Sequence, residues 1–250
     1  MKHSQNFKKT RRTKVEEKFE HLPPKEKFDN DFKLDWFTPE GDQHLITEAM
    51  DINELILVDA PSGCGKSTTV LWKALSDYKQ RKYEKVLLIK NPTEAGNDQI
   101  GYLSGDKKSK LEAHMESMRT IFLQFMSLGK LDNDIKNENI VLDIPNFLLG
   151  RTFDNTLILL EEAQTMSPAT IKLCAERAGQ GSKVVIIGDS RQRYSVKARE
   201  DGLSDIINKV TKEDSGYRMP KFKNVGYIRM ESNNNMRSSL SRFITEIYEG

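Results

Sequence analysis

The stretch "ELILVDAPSGCGKST", residues 54–68, constrains this chain more than any other. "ELILVDA" is a short apolar run closed by a turn signal, which predicts a buried strand. A loop with Gly63 and Gly65 follows, and residues 65–78 read as a helix. A strand, a glycine loop and a helix in that order make a cradle for phosphate. Glycine permits the positive φ angles that turn backbone N–H groups inward, and a helix N-terminus favours an anion. Pro61, Ser62, Gly63, Cys64, Gly65, Lys66, Ser67 and Thr68 are therefore read as nucleotide-binding residues. Lys66 reaches the β- and γ-phosphates, and the Ser67 hydroxyl serves Mg2+. Such loops usually open with Gly. This one opens with Ala60, the smallest other side chain, so slight strain at most is expected.

Further apolar runs alternate with helical patterns. Strands are expected at 85–92, 138–145, 156–164, 182–190 and 224–230. Helices are expected at 107–128 with Gly129 as a stop, near 168–178, at 202–210 and at 238–249. Leu45, Ile46 and Met50 suggest one apolar face of an earlier helix. "TLILLEEAQ" and "SKVVIIGDS" are continuous rather than alternating, which suits strands covered on both faces. The pattern predicts an α/β domain with a mainly parallel sheet flanked by helices.

Composition sets the remaining bounds. The 250 residues are 37% hydrophobic and 30% charged, and no run approaches the roughly 18–20 apolar residues of a membrane span. The basic N-terminus lacks the apolar region of a signal peptide, so a cytoplasmic protein is expected. Cys64 and Cys174 are expected to be reduced thiols. Six of the 39 Lys and Arg lie in residues 1–14, where there is no acid, so the rest of the chain is net acidic. Residues 1–35 are polar and carry "HLPPKEK", and are expected to form a basic, mostly disordered leader ahead of a domain at 36–250.

Three more segments carry chemistry. In "LILLEEAQ" a strand ends in two carboxylates, Glu161 to hold Mg2+ and Glu162 to act as general base. In "IIGDSRQR" another strand end delivers Asp189 and Gln192, with Gln192 placed to orient an attacking water. In "NNNMRSS" Arg237 lies between a strand and a helix, either meeting the γ-phosphate or standing as a solvated surface arginine.

Together these segments resemble the PhoH-like family of P-loop ATPases, related to the first motor domain of superfamily-one helicases. The resemblance runs from about Gln43 to Tyr248. It is carried by "NPTEAGNDQIGYLSGD" (91–106), "LLGRTFDNTLILLEEAQ" (148–164) and "GSKVVIIGDSRQ" (181–192) in family order. It implies a RecA-like fold, ATP and Mg2+ as ligands, and adenine contact near Gln43 in "TPEGDQHL". It strengthens Arg237 as a phosphate-contacting residue and, less strongly, brings in Arg151 and Glu94. The chain departs from the family at Ala60, at Asn91 where Arg is usual, and at Glu161 where Asp is usual.

The function expected is ATP hydrolysis coupled to RNA or single-stranded DNA, with the basic arm gripping phosphates. One motor lobe does not make a helicase, so a homo-oligomer, such as a ring, is expected to complete the machine. Two other classes compete. One is a nucleotide-regulated binding module with weak hydrolysis. The other is a small-molecule kinase, which the two acids and Gln192 favour less, since they suit water as acceptor.

Overall fold

A computed structural model describes residues 31–92, 107–192 and 201–230, together with 238–240, 243 and 247. Its centre is one six-stranded parallel sheet. The strands are β1 (Leu55–Asp59), β2 (Lys85–Lys90), β3 (Ile140–Asp143), β4 (Thr156–Glu161), β5 (Lys183–Gly188) and β8 (Val225–Arg229). Their order across the sheet is β3-β2-β4-β5-β1-β8. This is the α/β architecture expected, a parallel sheet with helices on both faces.

The continuous apolar runs are explained by two cores. Because side chains alternate along a strand, Ile56, Val58, Val86, Leu88, Leu157 and Leu159 point to one face. Leu57, Leu87, Ile89, Ile158, Leu160 and Ile186 point to the other. The first face is covered by α1 (Gln43–Ile52), α2 (Lys66–Lys79) and α3 (Lys107–Phe122). The second is covered by α5 (Pro168–Ala175) and α6 (Gly202–Val210). Each fully buried large aliphatic side chain contributes roughly 1.5–3 kcal/mol, which a polar residue inside these runs would forfeit. In α1 the buried pair is Ile46 and Met50, spaced by one turn. Leu45 was expected beside them, but it falls one position off that stripe and is half exposed.

The expected long helix 107–128 is two pieces. The first ends at Phe122, and α4 (Leu128–Lys136) follows. Gly129 therefore lies in the first turn of a helix and does not stop one. The reason is Ser127, whose hydroxyl accepts from the Lys130 N–H and caps the new helix. The break lets Phe125 and Met126 bury and lets Met126 pair with Phe32. Upstream residues are held there too. Lys33 N–H donates to Phe125 O at 2.6 Å, and the Trp72 indole N–H donates to Leu34 O at 3.0 Å.

One further element escaped the sequence reading. Strands β6 (Thr211–Asp214) and β7 (Tyr217–Pro220) form an antiparallel hairpin. Ser215 and Gly216 both have positive φ at its tip, the geometry of a tight two-residue hairpin turn. Among the described residues no helix is long and apolar enough to cross a membrane.

Candidate functional site

Parallel pairing brings the strands' carboxyl ends to one edge. Asp59 pairs with Gly188 and with Arg229, and Lys90 pairs with Glu161. Strand β5 lies between β1 and β4. The loop after β1 and the acids after β4 thus face each other across the end of β5, from which Gly188 to Gln192 emerge. Ligands of open parallel sheets bind at this edge.

The loop has the geometry its glycines predict. Gly63 has φ 88° and Gly65 has φ 73°, and Gly65 sits at the N-cap of α2. Ala60 has no positive φ, and its buried N–H donates to Gly188 O at 3.0 Å. Its extra methyl is accommodated in the core at no backbone cost. Lys66 Nζ donates to Pro61 O at 3.3 Å, which holds the ammonium over the mouth of the loop. Cys64 is fully buried, and burial pushes its thiol up. Neither it nor Cys174 is joined in a disulfide.

Glu161 ends β4 in the protein interior. Burial pushes its carboxyl above the usual carboxylate range, and the adjacent Glu162 charge adds to this. The Ser67 hydroxyl donates to it and opposes the shift, as do the charges of Lys90 and Lys66. A serine hydroxyl and a buried carboxylate side by side, next to a phosphate cradle, fit Mg2+. That ion commonly takes one or two protein ligands and completes its shell with water and substrate phosphate.

Glu162 adopts the left-handed conformation, φ 54° and ψ 43°. That costs a non-glycine residue about 1–3 kcal/mol and is typical of functional sites. Glu162 lines a cavity of about 440 Å3 together with Lys66, Ser67 and Thr68. Trp36 and Phe37 line the same cavity. The position of Glu162 is held by Gln164, whose Nε2 donates to Glu162 Oε2 at 2.6 Å. Gln164 Oε1 in turn accepts the Asp189 N–H at 3.1 Å. One buried amide therefore ties the end of β4 to the end of β5. Gly188 makes room for it, since a Cβ there would lie 2.6 Å from Gln164 Oε1.

Asp189 itself is buried. Burial raises its carboxyl, while the Arg191 N–H and the Lys66 charge lower it. Its Oδ1 accepts the Arg191 N–H, but its Oδ2 has no hydrogen-bond partner among the described residues. An orphaned buried carboxylate oxygen is rare enough to need an explanation. Gln192 donates its N–H to Asp189 O at 3.1 Å and lies at the end of this described segment.

The remaining expected residues divide. Gln43 is nearly fully buried; its Nε2 donates to Cys64 O at 3.2 Å and its Oε1 accepts the Glu40 N–H at 3.1 Å. It ties Glu40 to the phosphate loop. Asn91 donates to Thr165 O at 3.0 Å. Arg151 pairs with Asp143 at 2.8 Å, at the end of edge strand β3. Arg237 and Glu94 lie outside the described residues. Sequence reasoning gave no role to Gln164 or Trp36. Gln164 had a signal, a polar residue two places past a strand-end acid. Trp36 had none, because its partners are distant in the chain.

This arrangement can be set beside known proteins. The profile of the PhoH-like protein family matches residues 38–249. A PhoH-like protein of Bacillus subtilis (strain 168) is 27% identical over 187 residues, which is 75% of this chain and 58% of that one. Protein PhoH of Escherichia coli (strain K12) is 23% identical over 203 residues, covering 80% of this chain and 54% of that one. The chain thus spans about half the length of these curated relatives. Among solved structures, the Pyrococcus furiosus Hef helicase domain superposes with a TM-score of 0.45 at 15% identity, covering 81% of this chain and 40% of that one. The family match takes in the phosphate loop, both acidic strand ends and the sheet that carries them, and the chain belongs to the PhoH-like protein family.

Proposed function

We propose that this chain is a Mg2+-dependent ATPase that works on RNA or single-stranded DNA. The observation that carries the reading is the left-handed Glu162, held by Gln164 against the same cavity as Lys66 and Ser67. A strained, braced carboxylate facing a phosphate cradle is arranged for proton transfer.

The loop N–H groups and Lys66 bind the triphosphate. Ser67 and Glu161 hold the metal, which when bound neutralises phosphate charge. Glu162 accepts a proton from the water that attacks the γ-phosphate. Gln164 keeps Glu162 aimed, and Gln192 orients the water. Asp189 Oδ2 accepts a hydrogen bond from that water or from Lys66. Arg237 meets the γ-phosphate. Water is the acceptor, which favours hydrolysis over phosphoryl transfer to a small molecule.

The basic residues of 1–14 supply a sequence-independent grip on nucleic-acid phosphates. One RecA-like sheet is half of what directed movement usually requires, so a homo-oligomer, such as a ring, is the working form. Two buried cysteines outside any disulfide support a reducing compartment, the cytoplasm. The test is phosphate release by the purified protein with and without single-stranded RNA or DNA, beside a solution mass. Hydrolysis stimulated by nucleic acid is expected. Nucleotide binding without turnover under any of these conditions would instead assign a nucleotide-regulated binding module.

A further inference from the structure

The aromatic wall of the cavity is a feature that phosphate binding and hydrolysis leave unused, and its role rests on the nucleotide site proposed above. Trp36 is 58% exposed, which is costly for so large an apolar side chain, yet it is not loose. Its indole stacks on Phe125 with centroids 5.2 Å apart and planes 17° from parallel. Its Nε1 donates to Gln124 O at 2.9 Å. Phe37 meets it edge-on at 5.5 Å and is itself wedged against Trp72 at 5.9 Å. Phe125 is fully buried and covers one side of the indole, while Trp36 and Phe37 open on the cavity that holds Lys66, Ser67 and Thr68. The only polar atom of the indole is already satisfied inside the protein. What it offers a ligand is a fixed π surface.

A triphosphate seated in the loop has one planar apolar part, its base. We propose that Trp36 is the platform on which the base of the bound nucleoside triphosphate stacks, and that the site takes the base by its face without reading its edge. The second half follows from Gln43. Its amide nitrogen and oxygen are engaged by Cys64 O and the Glu40 N–H, and it is 3% exposed. It is a brace for the loop. Gln43 is not among the residues that line the cavity, and the described polar side chains that do, the indole aside, belong to the phosphate loop or are Glu162. Stacking tolerates every base because every base has a π face. Purines, with the larger face, bind better than pyrimidines.

The experiment uses the full chain in a Trp72→Phe background, which leaves Trp36 as the single indole. ATP, GTP, CTP and inorganic tripolyphosphate are titrated in Mg2+ by tryptophan fluorescence and by calorimetry. ATP and GTP are expected to quench Trp36 with affinities within about threefold of each other, and CTP to bind more weakly. Tripolyphosphate is expected to bind without quenching. Trp36→Ala should weaken ATP binding by about 5–150-fold, the usual worth of one stacked base. It should leave tripolyphosphate affinity within about twofold, which also shows that the variant is folded, and Trp36→Phe should recover most of the loss. If tripolyphosphate binds but Trp36→Ala leaves ATP affinity unchanged, or if ATP is preferred over GTP by more than about thirtyfold, the stacking assignment is overturned alone. If neither ATP nor tripolyphosphate binds the parent protein, the nucleotide site falls with it.

Discussion

Gln164 is the point at which the proposed mechanism is most open to attack. Replacing it with Leu keeps its volume and removes both bonds of the bridge, the one to Glu162 Oε2 and the one from the Asp189 N–H. A hydrogen bond to a charged group contributes about 1.5–3 kcal/mol, and a buried donor left unsatisfied costs about 1–3 kcal/mol. The two losses share one side chain and overlap, so about 2–4 kcal/mol is expected. For a domain of this size that lowers Tm by about 5–15 °C. Glu162, no longer pinned, should lose about 10–100-fold in kcat, while the phosphate loop and KM for ATP stay nearly unchanged. Gln164→Glu separates the roles. It keeps an acceptor for the Asp189 N–H and so recovers part of the stability. It also sets two carboxylates against each other, which must share a proton, and moves the acid limb of the pH–rate profile to higher pH. Thermal melts and steady-state phosphate release across pH check both variants. A Gln164→Leu enzyme with kcat within about twofold of the parent, or a Gln164→Glu profile that does not move, would refute the bridge.

Other consequences can be tested together. Glu162→Gln should bind ATP normally and turn over about 10²–10⁴-fold more slowly, the usual worth of a positioned base. Glu161 holds its proton more tightly when folded than when unfolded, so its contribution to stability falls as pH rises between those two values. Glu161→Gln should therefore raise Tm at neutral pH, by about 2–8 °C, with the gain vanishing below the ordinary carboxylate range. The same substitution should weaken Mg2+-dependent turnover, and in the parent protein Mg2+ affinity should decline on acidification earlier than an exposed carboxylate would. Gly188→Ala brings a methyl against Gln164 Oε1 and, at 2.7 Å, against Leu203 Cδ2; it should cost about 1–3 kcal/mol and reproduce the Gln164→Leu loss of kcat. Deleting residues 1–14 should flatten the salt dependence of single-strand binding by roughly 0.7 in slope for each phosphate that the arm neutralises. An unchanged slope would remove the arm from the interface.

Much of the sheet was legible because strands buried on both faces announce themselves. "LILVD", "KVLLIK", "TLILLE" and "KVVIIG" have no polar interruption, and each is a strand close to its expected bounds. Local capping was less legible. Ser127 caps a new helix inside the expected 107–128 span, so one helix became two. The hairpin at 211–220 was missed because its strands are largely exposed and lack an apolar alternation to read.

The sequence by itself determined the inventory of the site: a glycine loop with Lys66 and Ser67, two acids at one strand end and a Gly-Asp at another. Each of these is a local pattern with a local physical cause, a φ angle, a helix terminus or a buried run. Tertiary structure alone decided how they work together. Placing β5 between β1 and β4 sets the loop and the acids across from each other. It lets one buried glutamine join two strand ends that lie 25 residues apart along the chain. It also joined Gln43 to the loop through Cys64 O, and brought Trp36 to the cavity wall beside Phe125 and Gln124. No local pattern encodes those neighbours, because hydrogen bonding and stacking depend on which surfaces the sheet brings together.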